Sequence, residues 1–138
     1  MSVKHEYEVW EGRKSNVVNV SEKDFKGDKL IKFKGKFSLL KVYAKWCGYC
    51  RKMYSDINFL ADNLPKNDFK VCALDFDKNT ELASKLKVSS FPSLFMVDDK
   101  GNLEQVDMGS RSIHEMLNVI CRTTSKYNGK KKICKKFK

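Results

Sequence analysis

The chain has 138 residues, enough for one domain with a buried core that needs no staples. Its 41% hydrophobic content excludes a disordered chain, and no run nears the ~18 apolar residues of a membrane helix. Lysine and arginine exceed the acids by 28 − 17 = +11, and the seven lysines of residues 126–138, with no acid among them, supply +7 of it.

The body is therefore only mildly basic, although residues 29–45 hold six lysines and no acid. With 24 lysines against four arginines, the chain is poor in the planar fork that reads bases and phosphates in pairs. Weak, non-specific attraction of residues 126–138 to nucleic acid or another anionic partner stays open.

Residues 1–14 are polar and mixed, an extension or a first helix. NVVNV (16–20) reads as a short strand, and Ser21 followed by Asp24 as a helix start. Residues 26–36 are a loop or frayed helix. FSLLKVYA (37–44) is a near-continuous apolar run of strand length, the pattern of a strand covered on both faces. Lys41 interrupts it, sharing one face with Phe37, Leu39 and Tyr43. From Cys47 to Leu64 the spacing of Met53, Ile57, Leu60 and Leu64 predicts a helix, which Pro65 ends. FKVCAL (69–74) is a second apolar strand, and Asn79 or Thr80 caps a short helix through Leu86.

SLFMV (93–97) is a third strand, DDKG (98–101) a turn, and residues near 102–107 a fourth strand. Ser112 and Glu115 form an S-x-x-E box that opens a last helix, with Ile113, Met116, Leu117, Ile120 and Cys121 inward. Crossover helices imply parallel strands and the turn adds an antiparallel pair. The fold class is α/β, a mixed sheet with helices on both faces.

Five cysteines (Cys47, Cys50, Cys72, Cys121, Cys134) are too few and too uneven for a disulfide scaffold. The opening MSVKHEYEVWEG has no apolar h-region, so the expected setting is cytoplasmic, where thiols stay reduced. Cys72 and Cys121 read as small core hydrophobes, and Cys134 as a solvated thiol in the lysine-rich tail.

Cys47 and Cys50 stand apart. A strand ending at Ala44 and a helix opening near Cys47 put the first sulfur at a helix N-terminus, where unpaired N–H groups favour the nucleophilic thiolate. Cys50, one turn on, can release whatever Cys47 captures. A zinc site needs four ligands, and only isolated cysteines, His5 and His114 remain. A purely structural bridge over so short a loop adds little stability. A redox couple that needs no metal or cofactor is the expectation, with Gly48 admitting a substrate chain and Trp46 flanking the sulfur.

WCGYC after VYAK resembles the active-site motif of the thioredoxin superfamily, and two further stretches support it. SSFPSLFMVDDKG (89–101) is similar to the family's proline loop, strand and turn, and VDMGSRS to the stretch before its last helix. The resemblance spans roughly residues 16–124 and implies a thioredoxin fold, with 1–15 an extension and 125–138 a basic, disordered tail. It also implies a thiol–disulfide oxidoreductase acting on protein disulfides as a monomer. Pro92 would be cis and face the cysteine pair, and Phe91 would offer its backbone to an extended substrate.

Phe91 before the proline is similar to the catalytic domains of protein disulfide isomerases. The Gly48–Tyr49 pair matches neither thioredoxin's Gly-Pro nor the isomerases' Gly-His. Lys41 stands where the family has a buried acid that exchanges a proton with the resolving thiol. A buried Lys41 could act as a neutral base or favour thiolate at Cys50; alternatively its stem packs and its head reaches water. The lysine bias and compact form also resemble thioredoxin-like proteins of large DNA viruses, which implies packaging in a virion. The alternative function is a thioredoxin-like binding module tethered by residues 126–138.

Overall fold

The computed structural model describes residues 6–107, 112–127 and 134. Its centre is a five-stranded sheet of β3 (Val18–Val20), β6 (Phe37–Tyr43), β7 (Phe69–Asp75), β8 (Ser93–Val97) and β9 (Leu103–Val106). The spatial order is β3-β7-β6-β8-β9. β3, β7 and β6 run parallel, β8 pairs antiparallel with β6, and β9 pairs antiparallel with β8. This is the thioredoxin fold.

β6 is buried along its whole length, as the continuous apolar run predicts for a central strand. Its side chains divide by parity. Phe37, Leu39 and Tyr43 join a core with Ile57, Leu60, Met116 and Ile120, from α2 (Tyr54–Asn63) and α4 (Ile113–Tyr127). Leu40 and Val42 join a second core with Leu74, Phe95 and Leu82 of α3 (Thr80–Lys85). Lys41 follows the first parity, so a charged group enters the larger core.

The helix expected from Cys47 to Leu64 forms as α1 (Gly48–Lys52) and α2, interrupted at Met53. Ser21–Asp24 closes only a 3-10 turn, the Ser21 N–H donating to the Asp24 carboxylate at 2.9 Å. Asn79 occupies the cap of α3, but its side chain serves elsewhere. Its oxygen accepts the Glu22 N–H at 3.1 Å and its amide donates to the Asp75 carbonyl at 2.9 Å. At α4 the Glu115 N–H donates to the Ser112 hydroxyl at 3.2 Å, half of the expected box.

Two segments differ from the sequence reading. Residues 26–36, expected as a loop or frayed helix, include a hairpin of β4 (Phe25–Lys26) and β5 (Lys29–Leu30), because Phe25 and Leu30 bury into the second core. Among the described residues before position 16 there is no helix. They include the hairpin β1 (Val9–Trp10) and β2 (Arg13–Lys14), and Tyr7 is fully buried.

Gly101 ends the turn before β9 with φ +94°, and its carbonyl accepts the Leu30 N–H at 3.0 Å. A Cβ there would lie 2.5 Å from the Leu30 carbonyl oxygen. Gly101→Ala therefore meets both a backbone clash and an unfavourable φ, and we expect a loss of about 2 kcal/mol or more in urea denaturation.

The cysteines of the C-terminal part require a correction. Cys121 and Cys134 form a disulfide, and Cys134 is buried, neither a solvated thiol nor, for Cys121, a plain core hydrophobe. The pairing returns the chain to α4 after a separation of 13 residues. Closing such a loop restricts the unfolded chain by about 3 kcal/mol. We expect the Cys121→Ala/Cys134→Ala variant to lose about that much stability, while the parent loses it only when dithiothreitol is present. The expectation of a disordered, anion-binding tail concerns residues that, apart from the end of α4 and Cys134, lie outside the described ones.

Candidate active site around the cysteine pair

Strand β6 ends at Tyr43, and the chain turns through Ala44–Trp46 before α1 starts at Gly48. Cys47 is the N-cap residue, with extended φ/ψ of −87° and 114°. Its sulfur accepts the backbone N–H of Cys50 at 3.2 Å, the place a Ser or Asp oxygen fills at other helix starts. The first turn thus directs a donor and its positive end at this sulfur. Cys47 is 7% exposed and Cys50 is 0% exposed, so an outside molecule meets Cys47 first.

Around that opening stand Trp46 and Tyr49, 63% and 68% exposed. Beyond its chain neighbours and its own helix backbone, no atom lies within 4 Å of where a Cβ on Gly48 would be, so the face is open there. Trp46 donates from Nε1 to Asp77 at 3.5 Å, and its ring meets Phe91 edge-on at 5.3 Å between centroids. Phe91 also packs edge-on against Phe76 at 4.7 Å. These contacts bring the 91–92 loop beside the cysteine motif. The Phe91–Pro92 peptide is cis and Pro92 is buried, as the resemblance implied.

Beneath the pair lies Lys41, 0% exposed, which removes the reading in which its head reaches water. Nζ donates to the Cys50 carbonyl at 2.6 Å and to the Tyr7 hydroxyl in a short bond. It also lies 5.1 Å and 5.9 Å from the ring centroids of Tyr7 and Tyr43. Burial pulls its pKa down to about 8, against the negative charge of Glu6. Burial pushes the Cys50 thiol up to about 12, reinforced by its hydrogen bond with Cys47 and opposed by a hydrogen bond with the Ala44 backbone and, more weakly, by Lys41. The site therefore couples a thiol that holds its proton to an amine able to exchange one near neutral pH.

The sequence reading missed Glu6, Tyr7 and Asp75. Tyr7 stacks on Tyr54 at 4.5 Å and meets Tyr43 edge-on at 5.6 Å. Glu6 Oε1 and Asp75 Oδ2 are buried without a hydrogen-bond partner among the described residues. The available signal was Lys41 itself, since a buried cation demands polar company from somewhere in the chain.

The thioredoxin family model matches residues 16–122. Protein disulfide-isomerase 1 of Dictyostelium discoideum is 36% identical over 85 residues, covering 59% of this chain and 23% of that protein. A mitochondrial thioredoxin domain-containing protein of Schizosaccharomyces pombe is 38% identical over 85 residues, covering 60% of this chain and 22% of its own length. The chain thus spans under a quarter of these two relatives. Among solved structures, human ERp44 superposes with a TM-score of 0.68 at 18% identity, covering 80% of this chain and 31% of that one. The J-Trx1 fragment of ERdj5 gives 0.64 at 16%, covering 78% and 50%. The matched region takes in β3 through most of α4, with both the cysteine pair and the cis-proline loop inside it, and the chain belongs to the thioredoxin family.

Proposed function

We propose that the chain is a thiol–disulfide oxidoreductase that acts on protein disulfides through Cys47 and Cys50. The observation that carries this reading is the Cys50 N–H aimed at the Cys47 sulfur, at a surface opening framed by Trp46, Tyr49 and the 91–92 loop. As thiolate, Cys47 attacks one sulfur of a substrate disulfide, and the other substrate sulfur leaves as thiolate. A Cys47–substrate mixed disulfide results. Cys50 gives up its proton and attacks the Cys47 sulfur, which releases the second substrate thiolate and leaves a Cys47–Cys50 disulfide. An external thiol returns the pair to the dithiol form. Phe91 and Pro92 would hold the substrate as an added strand, and Trp46, Gly48 and Tyr49 would line its path.

Among the described residues no helix is long and apolar enough to cross a membrane. The buried Cys121–Cys134 bridge supports an oxidising compartment, in place of the cytoplasmic setting expected from the sequence. The test of the central reading is insulin turbidity with dithiothreitol as reductant. We expect the purified chain to speed precipitation catalytically; a rate equal to dithiothreitol alone overturns the assignment.

A further inference from the structure

We propose that Glu6, carried in by the segment ahead of the family-matched region, is a positioning residue for proton transfer at Cys50, acting through Lys41. The inference rests on the proposed function and names a part of its machinery that lies outside residues 16–122. Three observations place it there. Tyr7, its chain neighbour, is fully buried and bonded through its hydroxyl to Lys41 Nζ, which fixes this segment over the amine. One Glu6 carboxylate oxygen is buried with no hydrogen-bond partner among the described residues. The amine itself touches the residue that must ionise, through the Cys50 carbonyl at 2.6 Å.

A buried carboxylate without a donor is costly unless a cation offsets it, and a buried ammonium is costly without an anion. Each answers the other here: burial raises the Glu6 carboxyl and the charge of Lys41 opposes that rise, while the charge of Glu6 holds the Lys41 amine up against burial. The groups facing this pair are Tyr7 from the first segment and Tyr43 from β6. Lys45, Cys47, Cys50 and Arg51 come from the turn and α1, Tyr54 from α2 and Asp75 from β7. Glu6 is the largest charge acting to keep Lys41 protonated.

The chemistry is a proton exchange. The Cys50 S–H bond breaks and its proton passes to the neutral Lys41 amine, which becomes an ammonium. The Cys50 thiolate then forms the bond to the Cys47 sulfur as the substrate thiolate departs, and the ammonium can later return the proton. Without the Glu6 charge the amine would deprotonate at lower pH and be a weaker base. Glu6 keeps it in the range where both forms are populated.

The test uses the full chain and Glu6→Gln, with Glu6→Asp as the conservative variant. Two quantities are followed against pH: the rate at which a Cys47 mixed disulfide with a glutathione probe resolves, and the NMR shift of the Lys41 ε-carbon. We expect Glu6→Gln to lower both midpoints by about one pH unit and Glu6→Asp to restore most of the shift. Should Glu6→Gln unfold, Glu6→Asp alone must show a partial displacement of the same sign. Midpoints unmoved in these variants, with insulin reduction intact, overturn the role of Glu6 and leave the proposed function standing. A moved Lys41 midpoint in a chain that does not reduce insulin overturns that function, and with it the role, while leaving the electrostatic coupling of Glu6 and Lys41.

Discussion

Cys47→Ser is expected to lower insulin reduction by on the order of 10³-fold or more, to the level of dithiothreitol alone, without loss of fold. A serine hydroxyl at the N-cap accepts the same helix N–H that the Cys47 sulfur accepts now, so α1 keeps its start. What disappears is the nucleophile, since no neighbouring geometry ionises an alcohol near pH 7. Cys50→Ser should lose turnover as completely, by a different route. Attack by Cys47 still proceeds, but nothing displaces the captured chain, and a mixed disulfide accumulates that non-reducing electrophoresis detects. The asymmetry follows from burial: Cys47 is reachable and Cys50 is sealed beneath it. A Cys50→Ser protein that accumulates no adduct while Cys47→Ser does would reverse the two roles.

Much of this arrangement was legible before any coordinates. FSLLKVYA carried enough uninterrupted hydrophobicity to mark the central strand, and SLFMV matched β8 residue for residue. Proline after Leu64 ended a helix where it had to. The cysteine spacing and the distant proline loop converged on one place because a parallel β6 and an antiparallel β8 are neighbours in the sheet.

What stayed hidden shares a physical cause. Two-residue strands such as those at 9–10 and 13–14 show no periodicity, so the first hairpin looked like a polar extension or a first helix. The Tyr7–Lys41 bond spans 34 residues, and nothing local announces it. Asn79 was the right residue at the right cap, yet tertiary partners outbid the helix for its side chain. The Cys121–Cys134 pairing likewise depends on where the chain returns after α4, which spacing alone leaves open.

Lys41→Met separates the two uses a buried amine can have. If the amine takes the Cys50 proton, its removal should slow resolution of the mixed disulfide by on the order of 10²-fold, while the initial attack by Cys47 changes little. The parent's resolution rate should rise with pH through an inflection near the Lys41 value of about 8, and the variant should lack that inflection. Stability moves in the same sense with pH. Because the folded value lies below the ordinary 10.5, the folded chain binds fewer protons than the unfolded one between about pH 8 and 10.5. Burial of the ammonium therefore costs stability below pH 8, by about 3 kcal/mol at most, and the penalty lifts as pH rises through that window. Cys50 works against this from about pH 9, since its raised thiol lets the unfolded chain ionise first. Between pH 8 and 9, urea denaturation should show the parent gaining stability relative to Lys41→Met, whose methionine fills the space with no charge to neutralise. Stopped-flow traces that coincide with the parent at every pH would remove Lys41 from the chemistry and leave it a buried cation held only by its partners.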